Sequence, residues 1–137
     1  NISLRLPEDM TVTGDTDPSL GDALIECANG IQSIMVTINS DSQDMMNSLA
    51  QMSQNYAGVD FINGAEIVGN SALVDLFTEL GQRLDVPAVG DKSYTFPIGN
   101  FFPFLVILPG EHTFTLTVTD MNGNTKDGQL TLTIVGE

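Results

Sequence analysis

Several residue types are scarce or missing in this chain of 137 residues, and each absence narrows its chemistry. Cys27 is the only cysteine, so no intrachain disulfide can form and a cysteine-based zinc site is excluded. His112 is the only histidine, which excludes a histidine-rich metal site. There is no Gly-x-Ser-x-Gly elbow, phosphate-binding loop or dinucleotide fingerprint, so a serine hydrolase or a nucleotide-binding enzyme has no support. No apolar run approaches the roughly 18 residues of a membrane-spanning helix.

Positive charge is also scarce. Four lysine and arginine residues stand against 18 aspartate and glutamate residues, so the net charge is −14. Such a chain is repelled by nucleic acid and by anionic membranes, and nucleic acid is excluded as an expected partner. Solubility of an exported protein explains this charge better than a cationic partner or a divalent ion does.

The length predicts a single domain over residues 1–137. Few lysines and many threonine, serine, asparagine and glycine residues fit an exported bacterial protein, although the sequence contains no signal peptide. We therefore expect an extracellular or cell-surface location, including attachment as a lipoprotein.

The last quarter of the chain has the clearest pattern. In residues 112–119, a histidine and three apolar residues alternate with threonines. In residues 129–134, apolar residues alternate with glutamine and threonine. Asn122-Gly123 lies between them and supplies turn chemistry. Two alternating runs around such a turn predict a β-hairpin with one buried face and one threonine-covered face.

This hairpin, over about residues 108–135, resembles the C-terminal hairpin of bacterial PKD-type and related immunoglobulin-like surface modules. The resemblance rests on a Pro-Gly lead, an aromatic residue, an alternating Thr/apolar strand, an aspartate and an Asn-Gly turn. It implies an immunoglobulin-like β-sandwich, a fold that serves many functions. Those modules usually place tyrosine where this chain has His112, which leaves the hydrogen bond of a tyrosine corner without its usual donor.

Further alternating segments predict additional strands, about seven in all. They are residues 2–6, 11–13, 22–27, 31–38 and 93–98, with a dense apolar run at 100–108 that Pro103 interrupts. Asn29-Gly30 predicts a hairpin between the strands on either side of it.

The apolar period changes from two to helical between residues 41 and 90. Ser40, Asp41 or Ser42 can cap a first helix that ends before Gly58, and Asn70 or Ser71 can cap a second. The apolar stripes are Met45, Leu49, Met52 and Tyr56 in the first helix, and Leu73, Leu76, Phe77, Leu80 and Leu84 in the second. Residues 59–69 are interpreted as a linker. The predicted fold is mainly β, an immunoglobulin-like sandwich with a two-helix insertion at roughly 41–90.

One segment of the hairpin has a calcium-like spacing of oxygen side chains. Asp120, Asn122, Asn124 and Asp127 could offer several hard oxygens to calcium. Ordinary turn chemistry explains the same residues, and we favour that interpretation. No cofactor is therefore expected, with calcium as the alternative.

Other candidates have simpler structural explanations. Cys27 is expected to be a buried, inert thiol, and His112 to be a structural residue on the inward face. An acidic N-terminal loop could supply an interdomain calcium site but is better explained as solvated; its acids are Glu8, Asp9, Asp15, Asp17 and Asp22.

Three functions remain open, of which we favour the first. It is a non-enzymatic module for adhesion, ligand binding or spacing, with a protein or glycan partner at the cell surface. The second is a carbohydrate-binding accessory module with an aromatic platform, drawn from Tyr94, Phe96, Phe101, Phe102 and Phe104. The third is a small hydrolase that uses two carboxylates. The methionines at 45, 46 and 52 could form an adaptable binding face, although core packing is the favoured interpretation.

Overall fold

The computed structural model describes residues 1–14, 20–101 and 108–136, and of Asn100 and Phe101 the backbone only. Its elements in chain order are β1 (Ile2–Arg5), β2 (Met10–Thr13), β3 (Ala23–Cys27), β4 (Ile31–Ser40), α1 (Gln43–Asn55), β5 (Ala65–Glu66), α2 (Ser71–Glu79), β6 (Ser93–Phe96), a short 3₁₀ helix (Ile98–Phe101), β7 (Gly110–Asp120) and β8 (Thr125–Val135).

The strands form two sheets. One has the order β1-β3-β6 and the other the order β2-β8-β7-β4-β5. All neighbouring strands are antiparallel except β2 and β8, which run parallel. In an immunoglobulin sandwich, strands A, B and E lie in one sheet and strands C, F and G in the other. Here β1, β3 and β6 occupy the first set of positions and β4, β7 and β8 the second, so the predicted immunoglobulin-like sandwich is confirmed.

The C-terminal hairpin forms as the sequence predicts. Strands β7 and β8 pair continuously from Gly110 opposite Ile134 to Thr119 opposite Thr125. The inward side chains of β7 are fully buried, and the alternate threonines are half-buried on the outer face. Burial of a side chain such as Phe114 contributes about 1.5–3 kcal/mol, which explains why this face fixes the register of the pair.

The turn at Asn29-Gly30 does not form a hairpin, so that prediction is wrong. Asn29-Gly30 follows β3, but β3 lies in the three-stranded sheet and β4 in the five-stranded sheet. Gly30 adopts a positive φ of 93°, as the turn chemistry requires, yet the chain crosses between the sheets. Each of the two strands has one apolar face. Because β3 and β4 lie in opposite sheets, both apolar faces are buried in the core between the sheets.

The two-helix insertion is confirmed, and it packs into the core. The Ser42 hydroxyl accepts a hydrogen bond from the Met45 N–H, and Asn70 accepts one from the Leu73 N–H, so these two residues cap the helices. The buried side chains of the helices are Met45, Leu49, Leu73, Leu76 and Phe77. Met46 and Met52 are partly buried against the same core, which favours packing over an adaptable binding face.

The segment interpreted as a linker, residues 59–69, also belongs to the core. It contains β5, and its Phe61 and Ile67 side chains are fully buried. The Ile38 N–H donates to the Phe61 carbonyl at 2.7 Å, and the Ile67 N–H donates to the Ile34 carbonyl at 2.8 Å. The segment therefore lies along the edge of β4, where isolated apolar residues in an irregular chain do not reveal a pairing strand.

Two predicted elements end earlier than expected. Helix α2 stops at Glu79, because Gly81 adopts a left-handed φ of 76°, and Leu80 is exposed. Strand β6 stops at Phe96, since Pro97 has no N–H to donate, and a 3₁₀ helix follows. The apolar run predicted as a strand at residues 100–108 lies mostly outside the described residues.

Candidate binding surface at one end of the sandwich

Three connecting segments meet at one end of the sandwich. They are residues 28–30 between β3 and β4, residues 88–91 before β6, and residues 121–124 between β7 and β8; together we call them the loop end. The Met121 N–H donates to the Gly30 carbonyl at 3.0 Å and so joins the first and third segments. In an immunoglobulin variable domain, binding loops lie at one end of the sandwich, including the loops that match the first and third segments.

The second segment is joined to the start of β4. The Gly90 N–H donates to the Ile31 carbonyl at 2.8 Å, and the Ile31 N–H donates to the Asp91 carbonyl at 2.7 Å. Asp91 also accepts the Ala88 N–H with its carboxylate at 3.0 Å, which closes the turn. Backbone hydrogen bonds therefore hold all three segments in one arrangement.

A buried carboxylate organises the loop end. Asp120 Oδ1 accepts the backbone N–H groups of Asn122 and Asn124, both at 2.9 Å, and Oδ2 accepts the Asn124 side-chain amide at 3.1 Å. The Asn29 side chain donates to it from the neighbouring loop. Burial raises the pKa of Asp120, but these hydrogen bonds to the ionised form outweigh burial, and the net pKa lies below its ordinary value.

The loop end exposes apolar side chains. Val89 is 63% exposed and Met121 is 47% exposed. A Cβ at Gly30 would lie 3.0 Å from the Gly90 carbonyl oxygen and 3.2 Å from Met121 Cγ, so glycine permits the close approach of the three loops. Lys92 and Lys126, two of the four basic residues, flank the surface.

Sequence reasoning missed this surface, because single apolar residues beside turns carry no periodic signal. The available signal was the glycine that accompanies each loop, Gly30, Gly90 and Gly123, all with positive φ. Which loops meet is a consequence of the sheet topology and cannot be read from local sequence.

A groove of about 410 Å³ adjoins the loop end on the outer side of β1 and β3. Ser3, Glu26, Ala28 and Lys92 are among the residues that line it. The groove combines one carboxylate, one ammonium group and a hydroxyl, so it is suited to a polar part of a ligand.

The structure brings together only part of the predicted calcium set. Asp120 points to the inner face of its strand, whereas Asp127 lies opposite Thr117, on the outer face of the hairpin. Asn124 offers its amide nitrogen, not its oxygen, to Asp120. No group of three or more histidine, cysteine, aspartate or glutamate side chains in the described ranges is arranged to hold a metal ion. Calcium binding at this turn stays a prediction.

His112 replaces the tyrosine of a tyrosine corner at the opposite end. It is fully buried; Nε2 lies 2.6 Å from the Leu108 carbonyl oxygen and Nδ1 lies 2.7 Å from the Ser40 hydroxyl. A carbonyl only accepts, so Nε2 donates to it, and in the neutral imidazole Nδ1 accepts from the Ser40 hydroxyl. The Ser40 oxygen in turn accepts the Ser42 N–H at 3.0 Å. The histidine therefore ties the start of β7 to the end of β4, as its predicted structural role requires.

The single cysteine is buried, as predicted. Cys27 is fully inaccessible at the end of β3. Burial raises the pKa of the thiol, and the negative charge of Asp120 raises it further. A thiol in this environment is a weak nucleophile.

The acidic N-terminal loop and the aromatic platform are described only in part. Asp15 and Asp17 lie outside the described residues, whereas the Asp9 carboxylate accepts the Thr131 N–H at 2.9 Å and has a structural role. Phe96 is fully buried, and Tyr94 is half-buried with its hydroxyl donating to the Asp85 carbonyl at 2.6 Å. Neither ring belongs to an exposed platform.

The rings of Phe101, Phe102 and Phe104 are outside the description, so a platform formed by them stays a prediction.

Comparisons with known proteins add little. No protein-family model and no curated protein matches the sequence. The solved structure of murine CRIg is similar at 14% identity and a TM-score of 0.35, and the match covers 100% of this chain and 98% of that chain. So weak a likeness carries no argument, and the fold assignment depends on the strand order described above. The resemblance to PKD-type modules is not confirmed. Within the described ranges, no helix has the length and hydrophobicity needed to span a bilayer.

Proposed function

We propose that the chain is a non-enzymatic, immunoglobulin-like binding module of a secreted or cell-surface bacterial protein, acting as one domain over residues 1–137. Its binding surface is the loop end. The supporting observation is that Met121 and Val89 are held exposed on loops whose backbones are fixed by hydrogen bonds. A preorganised surface loses little conformational entropy when it binds, so its apolar contacts contribute directly to affinity.

Half of the four basic residues of the chain lie beside the loop end. Lys92 and Lys126 flank it, next to Asp91 and the ionised Asp120, on a protein of net charge −14. Interface centres are depleted of charged residues and enriched in methionine and aromatic residues. Met121 can adjust its three rotatable bonds to a partner pocket. These properties suit a protein partner.

The two side chains best suited to nucleophilic or acid–base chemistry have structural roles. Both ring nitrogens of His112 are engaged inside the fold, and the thiol of Cys27 is buried with a raised pKa. Both observations support a binding function over a catalytic one.

The experiment compares the wild-type protein with two charge variants on arrays of extracellular proteins and of glycans. Met121→Asp alters the loop end, and Leu80→Asp is the matched control, because Leu80 is 46% exposed and lies outside the loop end. We expect a protein ligand that binds Met121→Asp at least tenfold more weakly and Leu80→Asp unchanged. Circular dichroism verifies the fold of each variant.

Two outcomes would contradict the proposal. The first is a ligand that binds both variants as well as the wild type, which would place binding elsewhere. The second is selective glycan binding that Met121→Asp leaves intact, which would favour the carbohydrate-binding alternative.

A further inference from the structure

Strand β6 forms one edge of the three-stranded sheet. It pairs with β3 on one side, and no strand in the described part of the chain pairs with its other side. The immunoglobulin sandwich places strand D beside strand E, which corresponds to β6. This chain has the helical insertion in place of strand D, and the backbone hydrogen bonds of its residues 61 and 67 go to β4.

The pattern of hydrogen bonds between β3 and β6 shows which peptide groups of β6 point away from β3. The Cys27 N–H donates to the Lys92 carbonyl at 2.8 Å, so that opposed pair is hydrogen-bonded. Hydrogen-bonded and non-bonded pairs alternate along an antiparallel ladder. The next pair, Glu26 opposite Ser93, is therefore non-bonded, and so is Leu24 opposite Thr95. The N–H and C=O groups of Ser93 and Thr95 point away from β3, toward the free edge.

The side chains around this edge suit a short added strand. Ser93 and Thr95 are exposed and uncharged. Leu24, opposite Thr95, is 42% exposed, and a shallow groove of about 160 Å³ runs between them. Pro97 and the four-residue length of β6 limit any pairing to a short segment, which protects the edge from extended self-association.

The charge near the edge indicates the chemistry of the ligand. The nearby acidic residues are Asp22, Glu26, Asp85 and Asp91, and the nearby basic residues are Arg83 and Lys92. Arg83 is paired with Asp85 at 3.4 Å. The surroundings are therefore acidic on a protein of net charge −14, and a cationic segment is attracted.

We propose that the free edge of β6 binds an extended, lysine- or arginine-containing peptide segment of a partner protein by strand addition. The two N–H and two C=O groups of Ser93 and Thr95 pair with the backbone of the segment. This site is separate from the loop end and does not depend on its function.

The test follows individual amide protons by NMR hydrogen exchange. In the free protein we expect fast exchange at Ser93 and Thr95 and slow exchange at Tyr94 and Phe96, whose N–H groups face β3. The probe is a synthetic eight-residue peptide of alternating lysine and valine. At saturation it should slow exchange at Ser93 and Thr95 at least tenfold. The matching glutamate–valine peptide should have no effect.

A pair of variants separates strand addition from charge attraction. Thr95→Pro removes an N–H that makes no bond to β3, and proline is tolerated at the free side of an edge strand. We expect this variant to bind the lysine–valine peptide at least tenfold more weakly than Thr95→Val, which keeps the N–H.

Three results would overturn the proposal. One is unchanged exchange at Ser93 and Thr95 in the wild type, a measurement that needs no variant. Another is equal peptide binding by the two variants, which would leave only charge attraction. The third is slowing of exchange with protein concentration alone, which would make a second copy of the chain the occupant.

Discussion

Replacing His112 with phenylalanine tests whether its two hydrogen bonds close the corner between β4 and β7. The phenylalanine ring is somewhat larger than the imidazole, so it fills the site without leaving a cavity. The Leu108 carbonyl loses its donor and the Ser40 hydroxyl loses its acceptor. A typical hydrogen bond contributes about 0.5–1.5 kcal/mol net, so two of them predict that the free energy of unfolding falls by about 1–3 kcal/mol.

Urea unfolding at neutral pH measures this loss, and a double-mutant cycle assigns it. Ser40→Ala combined with His112→Phe should show a coupling energy of about 1 kcal/mol, because the two side chains share one hydrogen bond. Thr115→Val is the control, since Thr115 lies on the outer face of β7 and its replacement should change stability by at most about 0.5 kcal/mol. A His112→Phe protein as stable as the control would refute the assignment of a histidine corner.

Three further predictions concern buried groups. The pKa of Asp120 is lowered in the folded state, so the ionised carboxylate stabilises the fold above the unfolded pKa of about 3.9, and this stabilisation is lost as pH falls through the folded pKa. The difference in urea midpoint between the wild type and Asp120→Asn should therefore shrink in acid. A difference that stays constant with pH would contradict this. Cys27 should react with a thiol reagent only after unfolding, because its pKa is raised by burial and by Asp120; rapid labelling of the native protein would contradict this. Leu49→Ala should cost about 2–5 kcal/mol, whereas Gln51→Ala, exposed on the same helix, should cost at most about 0.5 kcal/mol. Equal effects in urea unfolding would show that α1 is not part of the core.

Local patterns predicted the elements better than their partners. The period-two run at 112–119 predicted β7, its turn and its partner β8, because adjacent strands joined by a short turn usually pair. The same Asn-Gly chemistry at Asn29-Gly30 predicted a hairpin that does not form. The turn conformation depends on neighbouring residues only. The sheet that a strand joins depends on which strands it can pair with, and those strands lie far along the chain.

The candidate binding surface was beyond the reach of the sequence for a related reason. Val89 and Met121 are 32 positions apart and belong to different loops. They come together because Gly30 lets three loops approach and because Asp120 fixes two of them. The sequence did identify Asp120, Asn122, Asn124 and Asp127 as a unit, since oxygen side chains around a turn have a local spacing, but Asp127 lies on the other face of the hairpin.

The parallel pairing of β2 and β8 determines how the sandwich responds to mechanical force. Met10 lies opposite Leu132 and Thr13 opposite Val135, and the Gly14 N–H adds a bond to the Val135 carbonyl at 2.9 Å. Tension between the two ends of the chain pulls these strands in opposite directions along their length. Shear of this kind loads all the hydrogen bonds of the pair together, whereas peeling a hairpin breaks them one at a time. The parallel pair of β2 and β8 therefore opposes such tension with all of its hydrogen bonds at once.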